Sequence, residues 1–288
     1  LPPTTYHLPP TTYHLPPTPP YLPVPLSFRL NVPELEDQPW LPNAVRAGML
    51  DALRWGVERA RVYEAIVPSL ADAVRRTGAA GIVDLGSGGG GGLRAVQREL
   101  SRALGREVPI TLTDLYPNLP AFRLLADESG GRLRYRAAPV DAAAVPPDLP
   151  GFRTVFSAFH HFPEPVAVGI LRAAVEANEG IGIFEGAGKH WWELLAVWLW
   201  LPLLLLITPW LRPFRWNRLL LTYVLPLIPL GVLWDGTASL LRLYPAAHLR
   251  RLAATADPAG RYEWQIGSQP AGWARSVTFL VGVPRGRG

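Results

Sequence analysis

Ile82-Val83-Asp84-Leu85-Gly86-Ser87-Gly88-Gly89-Gly90-Gly91-Gly92 is a short apolar run carrying one acid that breaks into glycines. The apolar residues up to Leu85 predict a buried parallel strand. Leu93 to Leu104, closed by Gly105, predict the helix that follows it. A strand, a glycine turn and a helix in that order put the free N–H groups of a helix start beside backbone that carries no side chains. A nucleotide-like ligand with a polar or anionic end suits such a turn, and so many glycines in a row cost backbone entropy that a ligand would offset.

Gly86-x-Gly88-x-x-Gly91 fits the dinucleotide fingerprint, and Asp114 follows at a distance that serves a ribose in that family as well. An NAD(P)-dependent oxidoreductase is therefore one reading. Asp84 points elsewhere, because a dinucleotide site usually continues its apolar strand at that position. Here the chain resembles the class I S-adenosylmethionine-dependent methyltransferases, whose first motif is an acid, any residue, then Gly-x-Gly-x-Gly, matched by Asp84, Gly86, Gly88 and Gly90. The resemblance implies an α/β fold: a doubly wound, mostly parallel seven-stranded sheet with an antiparallel C-terminal strand pair. It implies S-adenosyl-L-methionine as cofactor, held by Asp84, Gly86, Ser87, Gly88 and Gly90 at the first turn. It also implies Asp114 on the ribose hydroxyls with Leu115 beside it, and Asp141 on the adenine amine with Ala142 beside it. In that family the segment before the first strand folds over the cofactor, which makes Arg59 and Tyr63 contacts by resemblance.

With 288 residues the chain can bury one full α/β core and carry one insertion. The net charge of +5 comes from 28 basic residues, of which Lys189 alone is a lysine, and the arginines are spread rather than clustered. That pattern argues against a nucleic-acid partner. The chain has no cysteine, which excludes disulfides, cysteine ligands and thiol nucleophiles. No basic-then-apolar signal peptide opens it, and Leu1 implies that the sequence does not begin at a natural start.

In chain order, residues 1–28 repeat Leu-Pro-Pro-Thr-Thr-Tyr-His and predict an extended, disordered tail, with a ligand for a proline-binding module as the alternative. Residues 29–80 predict an N-terminal helical cap, with apolar positions at helical spacing from Val45 to Val74. Residues 81–185 predict the cofactor-binding core. In it, strands at Val108–Asp114, Arg132–Ala137, Phe152–Ala158 and Gly180–Glu185 alternate with helices such as Pro165–Glu176.

His160 and His161 emerge from the end of the fourth predicted strand and Glu185 ends the fifth, at the carboxyl edge where an open parallel sheet binds its ligand. These three are the candidate catalytic residues. Histidine titrates in the range a general base needs, although each could equally be a core histidine satisfied by backbone. No metal is expected, because adjacent histidines in an extended chain point in opposite directions.

Residues 186–235 predict an apolar insertion. Leu194–Leu211 and Leu219–Trp234 carry no charge, each is broken by prolines, and Arg212, Arg215 and Arg218 lie between them. A shallow interfacial hairpin fits this pattern, with tryptophans 191, 192, 198, 200, 210, 216 and 234 at headgroup level and the arginines reaching lipid phosphate. A buried lid or a dimer surface is the competing reading. Asp235 is expected to cap the helix that opens residues 236–288, with a place facing the acceptor as the alternative. That segment ends in alternating strands at Tyr262–Gly267 and Ser276–Gly282, as in the last two strands of the methyltransferase sheet.

The sequence thus predicts a methyltransferase acting on a lipophilic or membrane-associated small-molecule acceptor, cytoplasmic and peripheral at the inner face of the membrane. The alternatives are a non-catalytic membrane-surface protein with the same fold and the oxidoreductase.

Overall fold

The computed structural model describes residues 28–212, 214–271 and 276–286. Apart from Phe28, the proline-rich tail expected over 1–28 lies outside the described residues. The core is a seven-stranded sheet in the order β3-β2-β1-β4-β5-β7-β6, comprising β1 (Ile82–Leu85), β2 (Ile110–Thr113), β3 (Leu133–Tyr135), β4 (Phe152–Phe156), β5 (Ile181–Glu185), β6 (Tyr262–Pro270) and β7 (Ser276–Pro284). β1 to β5 pair in parallel, and β7 runs antiparallel between β5 and β6. This is the expected fold class. Its strand order reverses between β1 and β4, so the crevice at their carboxyl ends opens on the glycine turn.

Helices cover both faces. On one, α2 (Val67–Thr77), α3 (Leu93–Leu104) and α4 (Leu119–Glu128) bury Leu70, Val96, Leu100 and Phe122 against the sheet. On the other, α5 (Glu164–Ala177) and α9 (Ala246–Ala256) bury Ile170, Leu171, Leu249 and Leu252. Alternation of apolar strands with amphipathic helices dictates this layering, because each helix has a single stripe to bury.

The cap differs from its expectation at its start. Residues 28–42 form no α-helix but an extended strap with turns, and α1 begins at Asn43 and runs to Ala60. The strap is fastened to the end of α8 (Leu227–Arg242). Leu30 donates its N–H to the Leu241 carbonyl (3.0 Å), and Arg29 Nε donates to the Arg242 carbonyl (2.7 Å).

The insertion consists of α6 (Trp191–Ile207), α7 (Trp216–Leu219) and α8, with α6 and α8 packed on each other. The expected break at Asp235-Gly236-Thr237 is absent, since α8 continues through it and past the expected boundary at 235. Gly236 serves the helix–helix contact: a Cβ there would lie 3.0 Å from Val197 Cγ1 of α6. Asp235 caps no helix. Its carboxylate accepts the N–H groups of Leu35 (2.6 Å) and Glu36 (3.0 Å), which pins the strap onto α8.

Candidate functional site

The glycine turn is shaped by backbone that only glycine tolerates. Gly90 has φ +65°, and a Cβ on it would lie 2.3 Å from Leu125 Cδ1, so the loop lies flush against α4. At Gly88 and Gly89 a Cβ would meet nothing within 4 Å, which leaves an open cradle above the backbone.

Asp84 lies beneath that cradle. It is buried, and its two oxygens accept the hydroxyls of Ser87 (2.6 Å) and Thr154 (2.7 Å). Thr154 stands in register with Asp84 on the neighbouring strand, which is why it reaches. Burial pushes the Asp84 carboxyl up to about 7, against the lowering effect of those hydroxyls. Asp84 therefore fastens the turn from below and lines no described cavity.

Asp114, just past the end of β2, accepts the Gly88 N–H (2.9 Å) with one oxygen and the Tyr116 N–H (2.8 Å) with the other. Each oxygen keeps acceptor capacity. A cavity of about 560 Å3 lies over the turn, and Gly86, Ser87, Gly88, Gly90, Asp114 and Leu115 wall it. Asp141 and Ala142 close its far end, with Asp141 held by the Ala143 N–H (2.8 Å).

Tyr63 also walls the cavity and pairs its hydroxyl with Ser157 Oγ (2.5 Å), whereas Arg59 is exposed and lines no described cavity. The basic wall comes instead from Arg46 and Arg54, which the sequence reading passed over. Arg46, Leu50, Leu53, Arg54 and Val57 share one face of α1 at helical spacing, and that periodicity was the available signal.

A second chamber of about 180 Å3 lies on the side of the insertion, and Glu36, Leu53, Val57, Ser157 and His161 wall both spaces. His160 and Glu185 line this inner chamber together with residues of α6 and α8. A third space, also of about 180 Å3, continues past Glu34 to Trp200. Glu36, Leu53 and Val57 wall all three spaces, which are therefore neighbours between the glycine turn and the insertion.

The two histidines are not in an extended segment. Phe159–His161 is a single 3-10 turn, so the rings lie side by side with centroids 4.4 Å apart. This overturns the premise on which a metal was excluded. His160 is buried; Glu185 accepts its N–H (2.9 Å) and pairs with its Nδ1 (2.8 Å). Despite burial, which raises it, the Glu185 carboxyl is held below its ordinary value by His160. His161 Nδ1 pairs with Asp37 (3.1 Å).

The strap supplies Glu34, Glu36 and Asp37, which the sequence reading missed. Burial pushes Glu34 up to about 7 and also raises Glu36. Burial raises Asp37 as well, but His161 and Arg242 hold it down at about 2. An acid-rich run, Pro33-Glu34-Leu35-Glu36-Asp37, ahead of the helical periodicity that starts at Val45 was the available signal.

The outer side of the insertion is apolar. Trp191, Leu195, Trp198, Leu199, Leu206 and Trp210 are more than half exposed along one side of α6 and the turn after it. Across the hairpin, Trp216, Val224, Leu230 and Trp234 are also exposed. Trp192 and Trp200 depart from the expected headgroup set, since Trp192 stacks on His190 and Trp200 packs against Trp55.

The arginines divide too. Arg212 is exposed, but Arg218 is fully buried and pairs with Asp51 at 2.7 Å, with Arg215 at 3.5 Å from the same carboxylate. Arg218 is therefore a structural tie rather than a lipid contact. Among the described residues one helix, Trp191–Trp210, is long and apolar enough to cross a membrane, and the second apolar stretch is bent by 77° between Val224 and Leu227.

The fold is like that of methyltransferases of known structure. A protein described as an O-methyltransferase from Nostoc punctiforme superposes with a TM-score of 0.50 at 15% identity, over 88% of this chain and 64% of its own. The mitomycin 7-O-methyltransferase MmcR aligns at TM-score 0.43 and 18% identity, over 83% of this chain and 55% of its own. The O-methyltransferase NcsB1 of neocarzinostatin biosynthesis, in complex with S-adenosylmethionine and a naphthoic acid, aligns at 0.47 and 18%, over 84% and 59%. The chain thus spans between 55% and 64% of the length of these structures. No protein-family model matches the chain, and no curated protein sequence does.

Proposed function

We propose that the protein is an S-adenosylmethionine-dependent methyltransferase that acts on a small, lipophilic acceptor through a hydroxyl group. The observation that carries this reading is the wall that the glycine-turn cavity shares with the chamber at His161: two ligands placed in them would meet there. The cradle above Gly88 and Gly89 and the residual acceptor capacity of Asp114 fit the polar end and ribose of the cofactor. When bound, the cofactor supplies a sulfonium methyl group that passes to the acceptor oxygen while the sulfur becomes a neutral thioether. The chain supplies the rest. Leu53 and Val57 exclude water from the shared wall, and positioning of the acceptor in line provides much of the rate. His160, His161 and Glu185 form the polar wall that would receive the proton the hydroxyl loses.

Two features support a lipophilic acceptor and peripheral attachment to a membrane. Residues of α6 and α8 line the space next to the inner chamber, and the outer faces of those helices carry exposed tryptophan and leucine. Burying that surface at ~25 cal/mol per Å2 favours lipid over water.

Calorimetry with S-adenosylmethionine, its demethylated product and NAD tests the cofactor, with binding of the first two and not the third expected. Asp114→Ala should weaken that binding by about 1 to 3 kcal/mol. Transfer of label from S-adenosylmethionine into a lipid extract tests the activity. His160→Ala or His161→Ala should lower turnover more than cofactor affinity. Tight NAD binding, or full turnover in both histidine variants, would overturn the corresponding part.

A further inference from the structure

We infer that Glu34, His160 and His161 form a binding site for a divalent transition-metal ion at the wall of the acceptor chamber. Their ligand atoms lie within 4.8 Å of one another. His160 Nε2 is 3.5 Å from Glu34 Oε1, and His161 Nε2 is 3.6 Å from Glu34 Oε2. Those separations are long for hydrogen bonds. They match what two ligands at about 2.1 Å from one ion subtend at a near-tetrahedral angle.

The rings are set for ligation. Glu185 holds Nδ1 of His160 and Asp37 holds Nδ1 of His161. A carboxylate on Nδ1 keeps the proton there and leaves the Nε2 lone pair free, as in metal-bound histidines generally. Both Nε2 atoms are aimed at the same carboxylate. His160 Nε2 is buried and has no hydrogen-bond partner, and Glu34 Oε1 facing it, also buried, has only the Arg242 guanidinium at 3.2 Å. A buried polar atom is rarely left so, and a bare Nε2 facing a carboxylate at 3.5 Å points to a group that binds both.

Charge agrees with geometry. Glu34, Glu36, Asp37 and Glu185 surround the two rings, and among the described residues Arg242 is the one arginine within ion-pairing distance of any of them, at 3.2 Å from Glu34 and 2.9 Å from Asp37. A dication offsets that excess. Two imidazoles and a carboxylate suit zinc, iron(II), cobalt(II) or manganese(II) better than calcium or magnesium, which take oxygen ligands. The site deepens the proposed function, because an ion there would polarise an acceptor hydroxyl, and this role alone rests on the methyl-transfer reading.

The test is titration of the full chain, freed of metal, with cobalt(II) alone, read by calorimetry and by the visible ligand-field band of the bound ion. One ion per chain and a visible band are expected. Glu34→Gln and His161→Gln should each weaken binding about tenfold or more. Asp37→Asn, which touches no ion directly, should weaken it by about ten- to a hundredfold. His248→Gln removes the His248–Glu164 pair elsewhere on the molecule and should change nothing. Circular dichroism of each variant separates loss of the site from loss of the fold, and the wild-type band stands even if Glu34→Gln fails to fold. Absence of stoichiometric binding by the wild type, or equal binding by His161→Gln and wild type, overturns the site. Calorimetry with the demethylated cofactor on the same samples keeps the two readings apart: cofactor binding without cobalt removes only the metal, and cobalt without cofactor removes only the methyl transfer.

Discussion

Asp84 shows how a motif residue acts without touching the space it shapes. Its oxygens are taken by Ser87 and Thr154, and burial raises its carboxyl to about 7. A folded-state value above the ordinary 3.8 means that the native protein binds this proton more tightly than the unfolded chain. The group's contribution to stability is therefore most favourable below about pH 4 and is lost as pH rises toward 7, at no more than about 1.4 kcal/mol per unit. Asp84→Asn, which mimics the protonated form, should flatten the stability profile between those limits and match or exceed the wild type at pH 8. Denaturant unfolding at four pH values measures it, and an unchanged slope would assign the titration to another group.

Among the elements, the insertion is where two readings of one composition separate. Its apolar residues sort into a packed side, with Trp200 against Trp55 and Val197 against Gly236, and a bare side from Trp191 to Trp210. Arg218 belongs to the packed side. Arg218→Ala removes one partner of a buried ion pair and should destabilise the protein by about 3 to 5 kcal/mol, read as a fall in unfolding midpoint. Arg212→Glu should leave stability unchanged and weaken binding to anionic vesicles about fivefold or more, in a salt-dependent way. Trp198→Glu with Trp210→Glu should abolish vesicle flotation. A wild-type protein that ignores vesicles would assign the bare side to a second subunit.

For the molecule as a whole, the acceptor side is assembled from distant parts: the strap, the turn after β4, the end of β5, and α6 and α8. Asp235 joins the strap to α8, so Asp235→Ala should free the strap while leaving the glycine turn intact. Expected outcomes are proteolytic cleavage within residues 28–42, lost turnover and lost cobalt binding, with affinity for the demethylated cofactor within about threefold of wild type. Loss of cofactor affinity as well would show that the strap also shapes the first cavity.

The sequence by itself determined the sheet and the first cavity. Strand and helix periods are local, and residues 82–92 concentrate in one run the glycines a close backbone approach requires. β7 and β6 were likewise legible from their period-two alternation, and so was the antiparallel edge. The tertiary structure decided the rest, for three physical reasons. A 3-10 turn at Phe159–His161 reverses the directions that extended backbone would give the histidines. Arg218 finds Asp51 across 167 residues, a pairing no local pattern encodes. Glu34, Glu36 and Asp37 carry no periodic signal, because the strap has no regular structure and takes its shape from the helix it lies on.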